Sequence, residues 1–480
     1  MSFLKLLPAA ACLFTTSCAH LSQNARISSE QRPQASSLLT GVGNLGMGLF
    51  RGTAVSAIRQ PVTTVTLGLS VLWHRPREIV SANLNVPLKA ALSPPPEEQP
   101  GTPAFETLLD RSNIPAARPG KLTYLVDGKR FFPDLDREIA AATSSVDLQV
   151  YIYDNDDIAV RYADRLKERS RKVPVRVMFD DMGSSFAQTS PPETPAPKGF
   201  SPPADMVSYL KEEPSNVRVR RTLNPWLVAD HSKLILVDNR VAYLGGMNIG
   251  REYFNEWHDL MIRVDGPIVT DLQRDFNRTW RKAGPYGDFG LLRAPSFIRR
   301  VPPAIDGAPV RILRTDPAEG RYEILRATLM AIRAARERIW IENPYVAHDD
   351  ITLALEEAAR RGVDVRMILP ARGDSTIMDI GNMAVARRLI EAGGSVYNYP
   401  LMTHMKVMIC DGWACVGSAN LDTLSMRINR ELNIAFRDPA QVQDLINKVF
   451  LPDFRRSKRR IPPPVQSPIV PIAETIADQL

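Results

Sequence analysis

Cysteine is scarce in this chain. Four occur in 480 residues: Cys12 and Cys18 near the N-terminus, and Cys410 and Cys415 near the other end. No cluster of Cys and His has the spacing of metal ligands, so no metal centre is expected. A tight turn on Asp411-Gly412 would set Cys410 opposite Trp413, and two buried free thiols are expected there rather than a disulfide. Aromatic residues make up only 7% of the chain, and near the two repeats that begin at His231 and His404 they are not interleaved with basic ones. That gives no support to the stacking groove of a single-strand nucleic-acid binder. Long apolar runs are missing too. Arg51, Arg59 and Pro61 break the stretch from Ser37 to Trp73, which leaves no run of about 20 apolar residues to span a bilayer.

What is present suits a globular protein with a full-sized core. Residues are 44% hydrophobic and 24% charged, and the length fits two domains or a duplicated one. The net charge of +7 suits an anionic partner, phospholipid or nucleic acid, without choosing between them. Lys5, the apolar run Leu6 to Phe14 and the small residues up to Cys18 have the shape of an export signal over residues 1–18. Thr15-Thr16-Ser17-Cys18 is similar to a bacterial lipoprotein box, which would lipidate Cys18 and tether the mature protein to a membrane surface. Residues 19–36 read as a polar tether. The Gly-rich segment 37–73 would either lie at a membrane interface or pack on the main domain, and the Pro-rich residues 93–120 read as a linker or extended wrap. Together 19–120 form an N-terminal region before the globular part.

From about Lys121, strands and helices alternate. Asp134–Thr143 reads as a helix, Val146–Tyr153 as a strand, Ile158–Ser170 as a helix and Val173–Phe179 as a strand. After Gly284 the order restarts with helix Tyr322–Ala335, strand Arg338–Glu342, helix Ile351–Arg361 and strand Val363–Leu369. This pattern predicts an α/β fold with a mainly parallel sheet covered on both faces. It divides the chain into halves 121–284 and 285–454, followed by a basic and Pro-rich tail, 455–480. An insertion in the first half, Ser190–Pro203, is expected to form a rim or lid.

Each half contains one copy of a short repeat. HSKLILVDNRVAYLGGMN spans His231 to Asn248, and HMKVMICDGWACVGSAN spans His404 to Asn420. Both place a Lys two residues after the His and an Asp five beyond it; two accidental copies are expected on the order of 10⁻⁴ times. On a strand, His231 and Lys233 project from one face, as do His404 and Lys406. Asp238 and Asp411 have the opposite parity and sit at turns, so their main expected work is to hold hairpins. An imidazole near neutral pH is a competent nucleophile toward phosphorus when neutral, and a competent acid for a leaving alkoxide when protonated.

The paired H-x-K-x4-D motifs resemble those of the phospholipase D superfamily. The segments GGMNIGREYF, WHDLMIRVDGPIV, RGVDVRMILPARGDS and VGSANLDTLSMRINRELNI are most similar to its bacterial cardiolipin synthase branch, although Leu424 stands where that branch usually has Arg. The resemblance implies a duplicated α/β/α sandwich whose halves are related by a pseudo-twofold axis, with one active site between them. It implies that His231 becomes a phosphohistidine and that His404 protonates the leaving group. The candidate catalytic set is His231, Lys233, Asp238, His404, Lys406 and Asp411, with Asn248 and Asn420 helping to hold the phosphate. Asp259, 28 residues after His231, and Glu431, 27 after His404, are implied as the carboxylates that orient the imidazoles. His258 points to the opposite face of its strand. No metal or other cofactor is implied. The expected function is phosphodiester transfer on phospholipid headgroups, to an alcohol or to water, by a lipid-anchored protein of the bacterial envelope facing the periplasm. Two alternatives stand beside it. A nuclease of the same superfamily is disfavoured by the missing basic–aromatic pattern, and a non-catalytic envelope protein by two complete motifs.

Overall fold

The structure, a computed structural model, describes residues 52–84, 96–189, 194–292 and 307–461. The export signal with Cys18, the polar tether, the start of the Pro-rich insertion and the end of the tail lie outside these residues.

Among the described residues, sixteen strands form a single sheet. The first half contributes β1 (Arg118–Val126), β2 (Val146–Val150), β3 (Val175–Asp180), β4 (Arg218–Thr222), β5 (Leu234–Val237), β6 (Val241–Gly245) and β7 (Leu260–Asp265). The second contributes β8 (Ala308–Asp316), β9 (Arg321–Tyr322), β10 (Arg338–Glu342), β11 (Asp364–Pro370), β12 (Ser395–Tyr399), β13 (Val407–Cys410), β14 (Trp413–Gly417), β15 (Glu431–Phe436) and β16 (Lys458–Arg459). Without the two-residue strands β9 and β16, both halves have one order: β4-β3-β2-β5-β6-β7-β1 and β12-β11-β10-β13-β14-β15-β8. They join where Arg118–Gly120 runs antiparallel to Ala308–Val310. The duplication expected from the repeat is thus a duplication of the whole sheet.

The sheet is mixed rather than mainly parallel. Only β2-β3-β4 and β10-β11-β12 run parallel. Helical crossovers connect those strands, whereas each repeat folds as a hairpin and continues into an antiparallel meander, β5-β6-β7 or β13-β14-β15. Asp238, Asn239 and Asp411 take the left-handed backbone these turns need, with φ of 58°, 48° and 50°, a conformation short polar side chains tolerate. The Asp411-Gly412 turn sets Cys410 opposite Trp413, and both Cys410 and Cys415 are buried free thiols.

Helices cover both faces of the sheet. The helix Asp157–Ser170 shows why the sequence folds this way locally. Asp156 caps it by accepting from Ala159 N at 2.8 Å, and Ile158, Tyr162, Ala163 and Leu166 form its buried stripe. The helix expected from Asp134 begins earlier, at Gly128, and contains Pro133. On the opposite face, the helix Ile268–Lys282 and residues 439–450 pack over a core shared by both halves, with Tyr124, Ile262 and Phe276 beside Trp340, Ile368 and Phe450. Each large apolar side chain buried there contributes about 1.5–3 kcal/mol.

Two of three peripheral segments differ from expectation, and the Gly-rich one takes one of its two expected courses by packing on the main domain. The Pro-rich stretch is more than a linker: Thr102 caps the helix Pro103–Arg111, and Phe105 and Leu109 are buried in the second half, with Phe105 edge-on to Trp413 at 6.0 Å. A one-turn apolar stripe between prolines is too short to be recognised by periodicity. Residues 52–59 and Pro61–Leu84 are helical and pack on the globular part through Leu67, against Val228 and Ile428. Among the described residues no helix is long and apolar enough to cross a membrane. Finally, the basic run read as the start of the tail adds β16 to the sheet edge, where Arg459 pairs with Tyr397.

Candidate active site

The two repeats meet at the seam between the halves. β5 and β13 begin at Leu234 and Val407, so each His and Lys lies just before a central strand. The chain entering each repeat runs beside the chain entering the carboxylate strand of the other half. Asp230 bridges in parallel to Arg430, and His258 to Thr403. His231 N donates to Arg430 O at 2.9 Å, and His404 N donates to His258 O at 2.7 Å.

This interleaving pairs the imidazoles and carboxylates crosswise. His231 Nδ1 lies 2.9 Å from Glu431 Oε1, and His404 Nδ1 lies 2.7 Å from Asp259 Oδ2. Proximity along the chain had matched Asp259 with His231 and Glu431 with His404; the structure reverses both. An ionised carboxylate can only accept, so in that state Nδ1 carries the hydrogen and each Nε2 keeps its lone pair. Lys233 Nζ donates to His231 O at 2.8 Å and Lys406 Nζ to His404 O at 2.7 Å, so each lysine folds back onto the backbone of its own histidine. Lys233, Lys406, Asp259 and Glu431 are buried. The side chains of His231 and His404 keep 12% and 7% exposure, which leaves the imidazoles as the reachable part of the cluster.

Burial dominates the electrostatics. It lowers the His231 pKa to about 4; Lys233 and Lys406 push the same way, and Glu431 opposes them. His404 is lowered well below its ordinary value, by burial first and then by Lys406, Lys233 and His231. Both imidazoles are therefore neutral at pH 7. Burial also lowers Lys233 to about 7 and Lys406 to about 8, although Glu431 and Asp259 hold them up. Asp259 is raised to about 7 by burial, against the pull of Lys406. Such closely opposed groups suit a site that handles protons and a single negative charge.

The remaining sequence-predicted residues divide. Asp238 accepts from Thr143, Ser144 and Ser145 N, and Asp411 from Arg336, Glu337 and Arg338 N. Each ties its hairpin to the loop before β2 or β10, so grouping them with the catalytic residues is corrected: they hold strands. Asn248 Oδ1 accepts from Ile152 N at 3.0 Å, and its amide bonds Tyr253. Asn420 is buried and bonds Asp422.

Sequence reasoning missed several neighbours. Ser418 and Ser425 donate to the two oxygens of Glu431. Gly246 is the repeat counterpart of Ser418, and a Cβ there would lie 2.1 Å from Asp259 Oδ1. The Gly-Gly against Gly-Ser difference between the repeats was the available signal. Tyr151 meets His231 edge-on at 4.8 Å, while Tyr253 and Trp257 flank His404 at 5.6 and 5.1 Å.

A second pair of equivalents closes the seam behind the site. Arg430 donates to Asp230 at 2.9 Å and to Asp316 at 3.2 Å. His258, its counterpart, lies 2.7 Å from Asp127 and 3.1 Å from Asp453, stacked on Tyr399 at 4.4 Å. His258, Glu342 and Asp453 also bring ligand atoms within 4.8 Å of one another, a grouping that ligand spacing could not show because three distant segments supply it. Burial alone would lower the His258 pKa, but the bonds to Asp127 and Asp453 raise it to about 11. Glu342 is raised to about 8 by burial and the Asp453 charge. An imidazolium bonded to Asp127 and ion-paired with Asp453 accounts for this cluster as the titratable counterpart of the Arg430 clamp.

The chain matches the family profile described as "Cardiolipin synthase, PLD-like domain" over residues 135–280 and 329–451. It is 29% identical over 373 residues to cardiolipin synthase A of Pseudomonas syringae pv. syringae, covering 72% of each chain. It is 30% identical over 357 residues to cardiolipin synthase of Geobacillus kaustophilus, covering 72% of this chain and 68% of that one. Phosphatidylserine synthase of Haemophilus influenzae shares the fold, with a TM-score of 0.57 at 12% identity over 74% of this chain and 92% of that one.

Proposed function

Because the chain belongs to the phospholipase D superfamily, in its cardiolipin synthase branch, we propose that it transfers the phosphatidyl group of a phospholipid through a phosphohistidine. The observation that carries this reading is the crossed pair: two imidazoles, one from each half, each oriented by the other half's carboxylate and each beside a buried lysine.

The substrate phosphate lies between the two Nε2 atoms, with its non-bridging oxygens facing Lys233 and Lys406. His231 Nε2 attacks phosphorus, so a P–N bond forms as the headgroup P–O bond breaks, and His404 delivers a proton to the leaving alkoxide. Burial, and after it Lys406 and Lys233, suppress His404 in the free site; the phosphodiester charge opposes both lysines and favours the protonated form this residue needs as a donor. In the second step neutral His404 removes a proton from the incoming hydroxyl. That oxygen then displaces His231 from phosphorus and restores both residues. An alcohol acceptor yields a new phospholipid; water yields phosphatidic acid. The branch favours transfer.

Incubation with labelled phosphatidylglycerol, phosphatidylethanolamine and single-stranded DNA tests this. Cardiolipin formation or headgroup exchange is expected, and cleavage of DNA alone would overturn the reading. Trapping phosphohistidine in His404→Ala but not in His231→Ala supports the role assignment; the opposite pattern reverses it.

We also propose that residues 121–284 and 285–454 act as the two functional halves, and that Cys18 carries a lipid that holds the chain on an envelope membrane. The lipoprotein-like sequence before Cys18 supports the anchor, and a Cys18→Ala chain that stays membrane-bound would count against it. The insertion serves as a rim: Thr194 bonds Glu256, in the turn that carries Tyr253 and Trp257. Deleting residues 190–203 without altering activity or substrate range would remove that role.

A further inference from the structure

Fourteen large apolar side chains remain exposed among the described residues, and ten of them lie together. Six are on residues 58–73, one is Trp226 beneath that helix, and three are in 286–292, the segment tied to it by Thr63 N donating to Asp288 at 2.9 Å. Val62, Val65, Leu69 and Leu72 recur every three or four residues along the helix Pro61–Leu84 and make one stripe, Ile58 precedes them on the helical residues 52–59, and each of the five is 61% exposed or more. The opposite flank is the packed one. Gln60, Thr64 and Leu67 are buried, and Trp226 Nε1 donates to Thr64 O at 2.8 Å. The fold therefore holds this helix in place with its apolar stripe facing outward.

Its position is specific. Leu67 packs on Val228, three residues before His231, and on Ile428, three before Glu431. The helix thus rests on the two segments that lead into the crossed pair. By sequence, residues 52–84 carry Arg59, Arg75, Arg77 and Glu78 as charges, a small basic excess, and none of them is a member of the stripe. That combination fits an anionic bilayer, with the helix lying in the interfacial plane rather than crossing it.

We propose that residues 58–73, with Trp226 and residues 286–292 beside them, form a membrane-docking face that seats the site on an anionic phospholipid surface. This rests on the phosphatidyl-transfer reading for its choice of occupant. Docking presents headgroups to His231 and His404 without lifting the lipid out of the bilayer.

The test uses the full chain carrying Cys18→Ala, so that no acyl anchor contributes, with vesicles of equal parts phosphatidylglycerol and phosphatidylcholine. Val65→Asp/Leu69→Asp should lower vesicle partition and turnover of vesicular phosphatidylglycerol by at least about tenfold. Turnover of dispersed short-chain phosphatidylglycerol should stay within about twofold, because no site residue is touched. Val65→Ser/Leu69→Ser serves in the same assay if the Asp variant fails to fold. Brominated phosphatidylcholine should quench tryptophan emission in the parent chain, and Trp73→Phe should remove most of that quenching. Partition that the double substitution leaves unchanged overturns the proposal, as does a parent dimer that the substitution dissociates with no change in partition. A parent that binds vesicles through the stripe but turns over no phospholipid sustains the docking face and sinks the activity reading instead.

Discussion

Replacing Glu431 with Gln separates the two ways of matching imidazoles to carboxylates. Glu431 Oε1 accepts from His231 Nδ1 at 2.9 Å and from Ser425 Oγ at 2.7 Å, while Oε2 accepts from Ser418. The amide can keep its oxygen toward His231 and turn its nitrogen to Ser418, whose Oγ already accepts from Leu432 N at 3.0 Å. The side chain therefore fits and only the charge is lost. A hydrogen bond to a charged group contributes about 1.5–3 kcal/mol. At 1.36 kcal/mol per factor of ten, that is about a 10- to 150-fold slower step, provided the bond strengthens as His231 loses electron density to phosphorus. His231 also becomes less basic, because the Glu431 charge is what opposes burial there. Rapid-quench measurement with labelled phospholipid should show phosphohistidine forming more slowly by that factor. Proton NMR of the imidazole Nδ1–H resonances gives a readout independent of which His attacks. E431Q should shift the resonance that H231Q removes, and D259N the one that H404Q removes. If E431Q moves the His404 resonance instead, the crossed pairing is refuted.

Four further outcomes are expected. G246A pushes a methyl to within 2.1 Å of Asp259 Oδ1 and should lower kcat about 100-fold, whereas G412A, whose nearest neighbour is 3.4 Å away, should not. His258 has a folded pKa near 11, above its ordinary 6.5, so its stabilisation is full below about pH 6.5 and is lost as pH rises toward 11. Denaturation at several pH values should show H258Q about 3–5 kcal/mol less stable near neutrality, where it strands Asp453, and with a flatter pH dependence than the parent. The kcat/KM of the free enzyme should fall as pH rises through about 7 to 8, where Lys233 and Lys406 lose their protons; a profile flat across that range would rule out a phosphate-holding role for them. F105A should shift the denaturation midpoint by the equivalent of about 3–5 kcal/mol, since Phe105 is fully buried against Trp413.

Much of the candidate site is legible in the sequence. His231, Lys233, His404 and Lys406 stand out because the repeat holds them at fixed offsets, and the Asp238-Asn239 and Asp411-Gly412 pairs mark the two Asp residues as turn residues. Asp259 and Glu431 were found as well, but their partners were not. Ser425 and Tyr151 carried no spacing signal, because their roles depend on which strand ends reach the seam, and Ser418 was marked only by the Gly-Gly against Gly-Ser difference between the repeats. The mixed sheet was missed for a related reason: helix–strand alternation describes β2 to β4 and β10 to β12, and says nothing of how a hairpin inserts beside them.

The sequence by itself determined the duplication, the chemistry-bearing side chains and the faces they occupy, because these follow from spacing within a few residues. Only the tertiary structure decided that His231 is served by Glu431, 200 residues away, and His404 by Asp259, 145 away. Periodicity orders neighbours along one strand and has no term for two segments brought side by side across a seam. The backbone bonds from His231 N to Arg430 O and from His404 N to His258 O set that register, and with it the crossed pairs.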